Sequence, residues 1–305
     1  MIETPASTAA SLARALLALR NADGGWGASG GAPSNVEATA LALLALGPGG
    51  APTAAHWLAR TQRRDGAWSY LEKVDQPSWA TSVAVLALLD AGRRDAAGAG
   101  ARWLVGSEPQ PLPWRMRLRY WLAPEAQAVE LDPELEGWPW VPGAFGWVEP
   151  TAFAMLAVRA AGAGRRARGR VRDGAGMLLD RMCTGGGWNY GNRRVLDTDL
   201  EPYPDTTAIA LLALHGVAPA DRLTSSLSLL EPLLGDHASG LALGLAALCF
   251  QRFGQDASAA IHRMQQRWER TRFLDDVRSL AVARIALEPG RAAALYGKPA
   301  TGAGS

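Results

Sequence analysis

Asn35-Val36-Glu37-Ala38-Thr39-Ala40-Leu41-Ala42-Leu43-Leu44-Ala45-Leu46 opens on polar residues, passes an acid and a threonine, and runs on as alanine and leucine. The pattern returns as Ser78-Trp-Ala-Thr-Ser-Val-Ala-Val-Leu-Ala-Leu-Leu89, Val148-Glu-Pro-Thr-Ala-Phe-Ala-Met-Leu-Ala-Val158 and Pro204-Asp-Thr-Thr-Ala-Ile-Ala-Leu-Leu-Ala-Leu214. Two weaker copies follow, His237–Leu248 and Val277–Leu287. Repeats at a fixed period decide architecture before any local reading does. All six segments are apolar nearly all round, the mark of helices buried on every side. Each begins with a helix-start signal, and most end near Gly or Pro.

A more amphipathic, more charged stretch precedes each copy, at 8–20, 53–63, 94–106, 170–182, 220–234 and 256–269. Amphipathic helices alternating with fully buried ones imply two concentric layers. The pattern therefore predicts an all-α chain, an α/α toroid in which six helix pairs close a ring with the apolar set inside. Residues 1–290 read as one such domain with a Trp-rich insert at 107–147, and 291–305 as a short flexible C-terminal tail.

Composition fits. The 305 residues are 48% hydrophobic and 20% charged with a net charge of +2, which gives no case for nucleic acid as a partner. Cys183 and Cys249 are far apart and form no CxxC pair, so neither a disulfide framework nor a Cys-rich zinc site is expected. The N-terminus lacks a basic region followed by an apolar run, and no unbroken apolar run of about 18 residues occurs, so the chain reads as cytoplasmic. Its one route to peripheral membrane contact is Trp114-Arg-Met-Arg-Leu-Arg-Tyr-Trp-Leu122, within the insert. The insert holds Trp114, Trp121, Trp138, Trp140 and Trp147, and a loop of that length suits a lid.

Between outer and inner helices lies a second repeat: Asp23-Gly-Gly-Trp-Gly27, Asp65-Gly-Ala-Trp68 and Gly185-Gly-Gly-Trp-Asn189. Gly supplies the turn and Trp packs it against a neighbouring helix, a structural role. These turns resemble the Gln/Trp motifs of squalene–hopene and oxidosqualene cyclases. Pro204-Asp-Thr-Thr-Ala208 is similar to the segment that carries an Asp-x-Asp-Asp-Thr-Ala motif in those enzymes. The resemblance covers residues 8 to about 287 and implies a hydrophobic isoprenoid or lipid ligand. It implies acid-initiated carbocation chemistry with Asp205 as proton donor, although Tyr203 and Thr206 replace the flanking acids. A second resemblance, to the toroidal subunit of protein prenyltransferases, implies a partner subunit. Asp205-x-Thr207 lacks the thiolate that family uses for zinc, so no zinc is expected. A non-catalytic toroid that binds a lipid or a partner protein remains the alternative.

The repeat yields a constellation of its own. Two residues before each Thr or Ser stand Glu37, Trp79, Glu149, Asp205, His237 and Val277. In a closed ring these occupy one rim, at the N-termini of the inner helices. Each acid alone is explained by helix capping or by the helix dipole. Three acids around one apolar mouth, however, raise at least one pKa. Asp205, Glu149, Glu37 and His237 are therefore the catalytic candidates, and Trp79, Trp147, Phe153, Tyr203 and Thr207 the substrate contacts. The acids also suit Mg²⁺ for a diphosphate, but no Asp-Asp-x-x-Asp run supports a metal, and no cofactor is expected.

Overall fold

The computed structural model describes residues 4–107, 114–122, 131–132, 134–162 and 164–296. Among them are fourteen α-helices, and the only paired strands are a two-residue hairpin, β1 (Arg194–Val195) with β2 (Thr198–Asp199). Six buried helices form the inner layer: α2 (Val36–Gly50), α4 (Ala80–Asp90), α7 (Val148–Ala160), α9 (Pro204–Leu214), α11 (Gly240–Arg252) and α13 (Val277–Leu287). Each packs on the next, and α13 packs back on α2, so the ring closes. The outer layer is α1 (Pro5–Ala18), α3 (Pro52–Arg60), α5 (Arg94–Gly106), α8 (Arg165–Asp180), α10 (Thr224–Leu233) and α12 (Ser258–Thr271). The expected α/α toroid is the observed fold. None of the described helices is long and apolar enough to cross a membrane.

One device fixes four of the six repeats. The backbone N–H groups of Trp26, Trp68, Trp138 and Trp188 donate to the hydroxyls of Thr39, Thr81, Thr151 and Thr207 at 2.8–2.9 Å. Their indole N–H groups donate to the carbonyls of Leu16, Leu58, Leu104 and Leu178, near the ends of the outer helices, at 2.6–2.8 Å. Each Trp thus ties the end of an outer helix to the start of an inner one, and all four indoles are buried. Buried N–H groups need such partners, which explains why Trp and Thr recur together. Trp138 shows that the end of the stretch read as an insert is the third repeat's own turn. The segments 108–113 and 123–130 of that stretch lie outside the described residues.

The two ends of the ring differ. At the C-terminal ends of the inner helices, α14 (Pro289–Tyr296) lies across α2, α4, α7 and α13. Arg291 pairs there with Asp90 at 2.6 Å, and the Arg252 guanidinium sits over the Tyr296 ring. Residues 297–305 lie outside the described residues. Helix-end carbonyls accept from Arg side chains: Arg159 donates to Ala213 O and His215 O, and Arg284 to Ala45 O. Cations suit the negative ends of helix dipoles. The opposite mouth, at the inner-helix N-termini, carries the acids.

Candidate functional site at the N-terminal mouth

Helix caps set the register of the mouth. Asn35 Oδ1 accepts from Ala38 N at 2.8 Å, Ser239 Oγ from Ala242 N at 3.1 Å, and Asp276 Oδ2 from Ser279 N at 2.8 Å. Aligned on these caps, the residue equivalent to Glu37 is Leu241 in α11 and Arg278 in α13. The ring therefore reads Glu37, Trp79, Glu149, Asp205, Leu241, Arg278. His237 falls two residues before the Ser239 cap, exposed on the turn after α10, and Val277 is buried beside the Asp276 cap. Neither Ser239 nor Ser279 takes the place of the repeat threonine: Ser239 is itself a cap, and Ser279 lies three residues after one.

Arg278 organises the centre. Its Nε lies 3.4 Å from Glu37 Oε1, and its Nη2 donates to Glu149 Oε1. Because α13 adjoins α2 but stands three places from α7 in the ring of six, the guanidinium reaches across the mouth to bridge two carboxylates. Glu149 is 6% exposed, and the Glu37 side chain is nearly as buried. Tyr70 donates to Glu37 Oε2 at 3.3 Å, while Glu37 Oε1 makes no hydrogen bond.

The electrostatics follow from this burial. Desolvation raises the Glu37 pKa against the opposing pull of Arg278 and the Tyr70 hydrogen bond, and nearby Asp276 adds to the rise. Desolvation also raises that of Glu149, again opposed by Arg278, with the charges of Glu37 and Asp205 adding to it. For Arg278, burial works against the charge, but Glu149 and Glu37 outweigh it and raise its pKa. The Tyr70 phenol is pushed up to about 12 by burial and by the Glu37 charge. Tyr190 is raised chiefly by the charge of Asp205.

Aromatic rings border the acids on one side. Tyr190 and Tyr203 pack at 5.2 Å, each 47% exposed. The partly exposed Trp147 ring passes close over Gly191. Backbone bonds hold this edge together: Val148 N donates to Tyr190 O and Tyr203 N to Trp188 O. Asp205, partly exposed on the first turn of α9, lies beside these rings. The other expected contacts sit deeper. Phe153 and Trp79 are buried and pack together at 5.6 Å, with Trp140 edge-on to Trp79 at 5.0 Å. Thr207 is buried and accepts from Trp188 N, so its hydroxyl serves the repeat.

The structure thus brings Glu37, Glu149 and Asp205 to one mouth with Tyr203 and Trp147, and leaves His237 apart. Arg278, Tyr70, Tyr190 and Asp276 join the site unforeseen. The caps at Ser239 and Asp276 were the sequence signal that could have placed Arg278. Among the described residues, no group of three or more His, Cys, Asp or Glu side chains is placed to hold a metal ion.

No family model and no curated protein matches the chain. Solved structures do. One is an inactive variant of the α-1,6-mannanase GH76A of Salegentibacter sp. HEL1_6 in complex with α-1,6-mannotriose, with TM-score 0.62 and 11% identity over 96% of this chain and 100% of that one. A second is the endo-β-1,4-glucanase CMCax of Acetobacter xylinum, with TM-score 0.59 and 14% identity over 96% and 99%. A third is a protein from Actinoplanes, with TM-score 0.58 and 17% identity over 95% and 100%. The chain shares the α/α-toroid fold of these structures. At these identities the likeness is one of fold.

The expected membership in the terpenoid cyclase and prenyltransferase group is corrected by these neighbours, and the isoprenoid chemistry drawn from it goes with it. The geometry agrees with the correction. A carbocation pocket needs a water-poor, apolar wall, whereas this mouth holds a guanidinium on its axis between carboxylates. The motifs misled because Trp turns and repeat threonines build the toroid and do not mark its chemistry.

Proposed function

We propose that the N-terminal mouth binds a glycan chain and cleaves it by acid–base hydrolysis. The observation that carries this reading is the pairing of two kinds of carboxyl with an exposed aromatic edge. Glu37 is buried with a raised pKa and an oxygen lacking a hydrogen bond, while Asp205 is partly exposed beside Tyr190 and Tyr203. Glycoside hydrolysis uses two such groups. Glu37 gives its proton to the glycosidic oxygen as the C–O bond breaks, and Asp205 takes a proton from the attacking water. Sugar rings stack on the tyrosines and on Trp147. The fold shared with a mannanase and an endoglucanase supports the substrate class.

A second reading, glycan binding without cleavage, is favoured by Arg278, which bridges Glu37 and Glu149 and favours their ionised forms. Reducing-end release from α-1,6-manno- and β-1,4-gluco-oligosaccharides separates the two. Hydrolysis predicts turnover that falls at least about 100-fold in Glu37→Gln and in Asp205→Asn, with Trp fluorescence still reporting binding. Binding without turnover selects the second reading. Neither binding nor turnover on any oligosaccharide rejects both.

A further inference from the structure

Helix α6 (Trp114–Leu122) belongs to neither layer of the ring. Trp114 is 69% exposed, Trp121 77% and Leu122 65%, and Leu118 is exposed as well. At 3.6 residues per turn, positions 114, 118, 121 and 122 fall within about 100° of one another, so they form one continuous apolar face. Arg115 borders that face, its guanidinium 5.4 Å from the Trp114 ring centroid. By sequence the nine residues include three arginines, at 115, 117 and 119, and no Asp or Glu. The segment therefore carries +3, while the whole chain carries only +2.

We propose that α6 is an interfacial anchor that lays its Trp114–Leu118–Trp121–Leu122 face on an anionic bilayer surface. Trp is favoured at the boundary between headgroups and acyl chains, where its ring is apolar and its N–H is wet. A short basic helix with an apolar face lies in that boundary plane and does not span it. Charge complementarity selects the lipid: each basic residue near an anionic surface raises partition about fivefold, and the segment has no acid to oppose this. The anchor is independent of the glycan reading, because it shares no residue with the mouth.

The test is co-sedimentation of the full chain with vesicles of phosphatidylcholine alone, or with about 30% phosphatidylglycerol. Binding is expected on the anionic vesicles, at least about tenfold weaker on the zwitterionic ones, and weakened by 0.5 M salt through screening. The double variant Trp114→Ser/Trp121→Ser should lose at least about tenfold in vesicle binding with its thermal melt unchanged, since both side chains are exposed. Equal binding by the variant and the parent protein, or no binding to anionic vesicles, overturns the proposal. So does a parent protein that runs as a dimer while the variant runs as a monomer, because the face would then belong to a second copy.

Discussion

Arg278→Met removes the one charge that bridges Glu37 and Glu149, and the consequence can be worked from the contacts. At 3.4 Å and an effective dielectric constant of about 20, the Arg278–Glu37 attraction alone is about 5 kcal/mol before desolvation is subtracted. Breaking a buried pair by removing one partner costs about 3–5 kcal/mol, because the remaining charge stays buried without compensation. Arg278 is about a quarter exposed, so the low end, about 3 kcal/mol at neutral pH, is expected. The pH dependence identifies the cause. Glu37 and Glu149 have folded pKa values above the ordinary 4.5, so the folded state holds their protons more tightly than the unfolded one does. Their contribution is fully present below pH 4.5 and is lost as pH rises through the folded values. Without Arg278 those values rise further, so the deficit of the variant should be small near pH 4 and open as pH climbs to 7. Chemical denaturation at the two pH values measures it. A loss of equal size at both would refute the electrostatic account and leave only lost packing. In the triple variant Glu37→Gln/Glu149→Gln/Arg278→Met, which buries no charge at this point, most of the stability at pH 7 should return.

Two further predictions concern the scaffold. Gly100→Ala puts a methyl within 2.6 Å of Val85 Cγ2 and 2.8 Å of the Trp68 ring, so overpacking should cost about 1–3 kcal/mol in denaturant unfolding; a neutral or stabilising result would show that α5 can shift away from α4. Trp188→Phe keeps an aromatic ring but takes the donor from Leu178 O, and should cost about 1–3 kcal/mol; the exposed Trp114→Phe, measured alongside, should change stability by less than about 0.5 kcal/mol.

The toroid was legible because its signal is redundant. Six apolar helices alternate with six amphipathic ones, and a Trp–Thr pair marks four of the joints, so a misread at one joint does not alter the ring. The mouth was legible only where that pair exists. Glu37, Glu149 and Asp205 each precede a threonine that holds a Trp N–H, and the count of two residues back from it is sound. In the last two repeats no such Thr–Trp bond sets the register. Ser239 and Asp276 cap the helices, and counting back from the nearest serine slips the frame by four residues in α11 and by one in α13. The slip exchanged Arg278 for Val277, and with it the sign of the charge on the axis.

That charge changes what the acids mean. A carboxylate at a helix N-terminus needs no other reason to be there, since the dipole favours it. An arginine at the same place is disfavoured by the dipole and by burial together, so something must offset both costs. Glu37 and Glu149 do so from two sides of the ring, and the raised pKa of Arg278 is the sum of that contest. The dipole accounts for each acid taken singly, since Glu37, Glu149 and Asp205 all lie in the first turn of their helices, but it does not account for a cation set between two of them. The repeat itself does not ask for a charge here, since Trp79 and Leu241 hold two of the six positions. Arg278 is therefore the residue whose presence marks the N-terminal mouth as more than a row of helix ends.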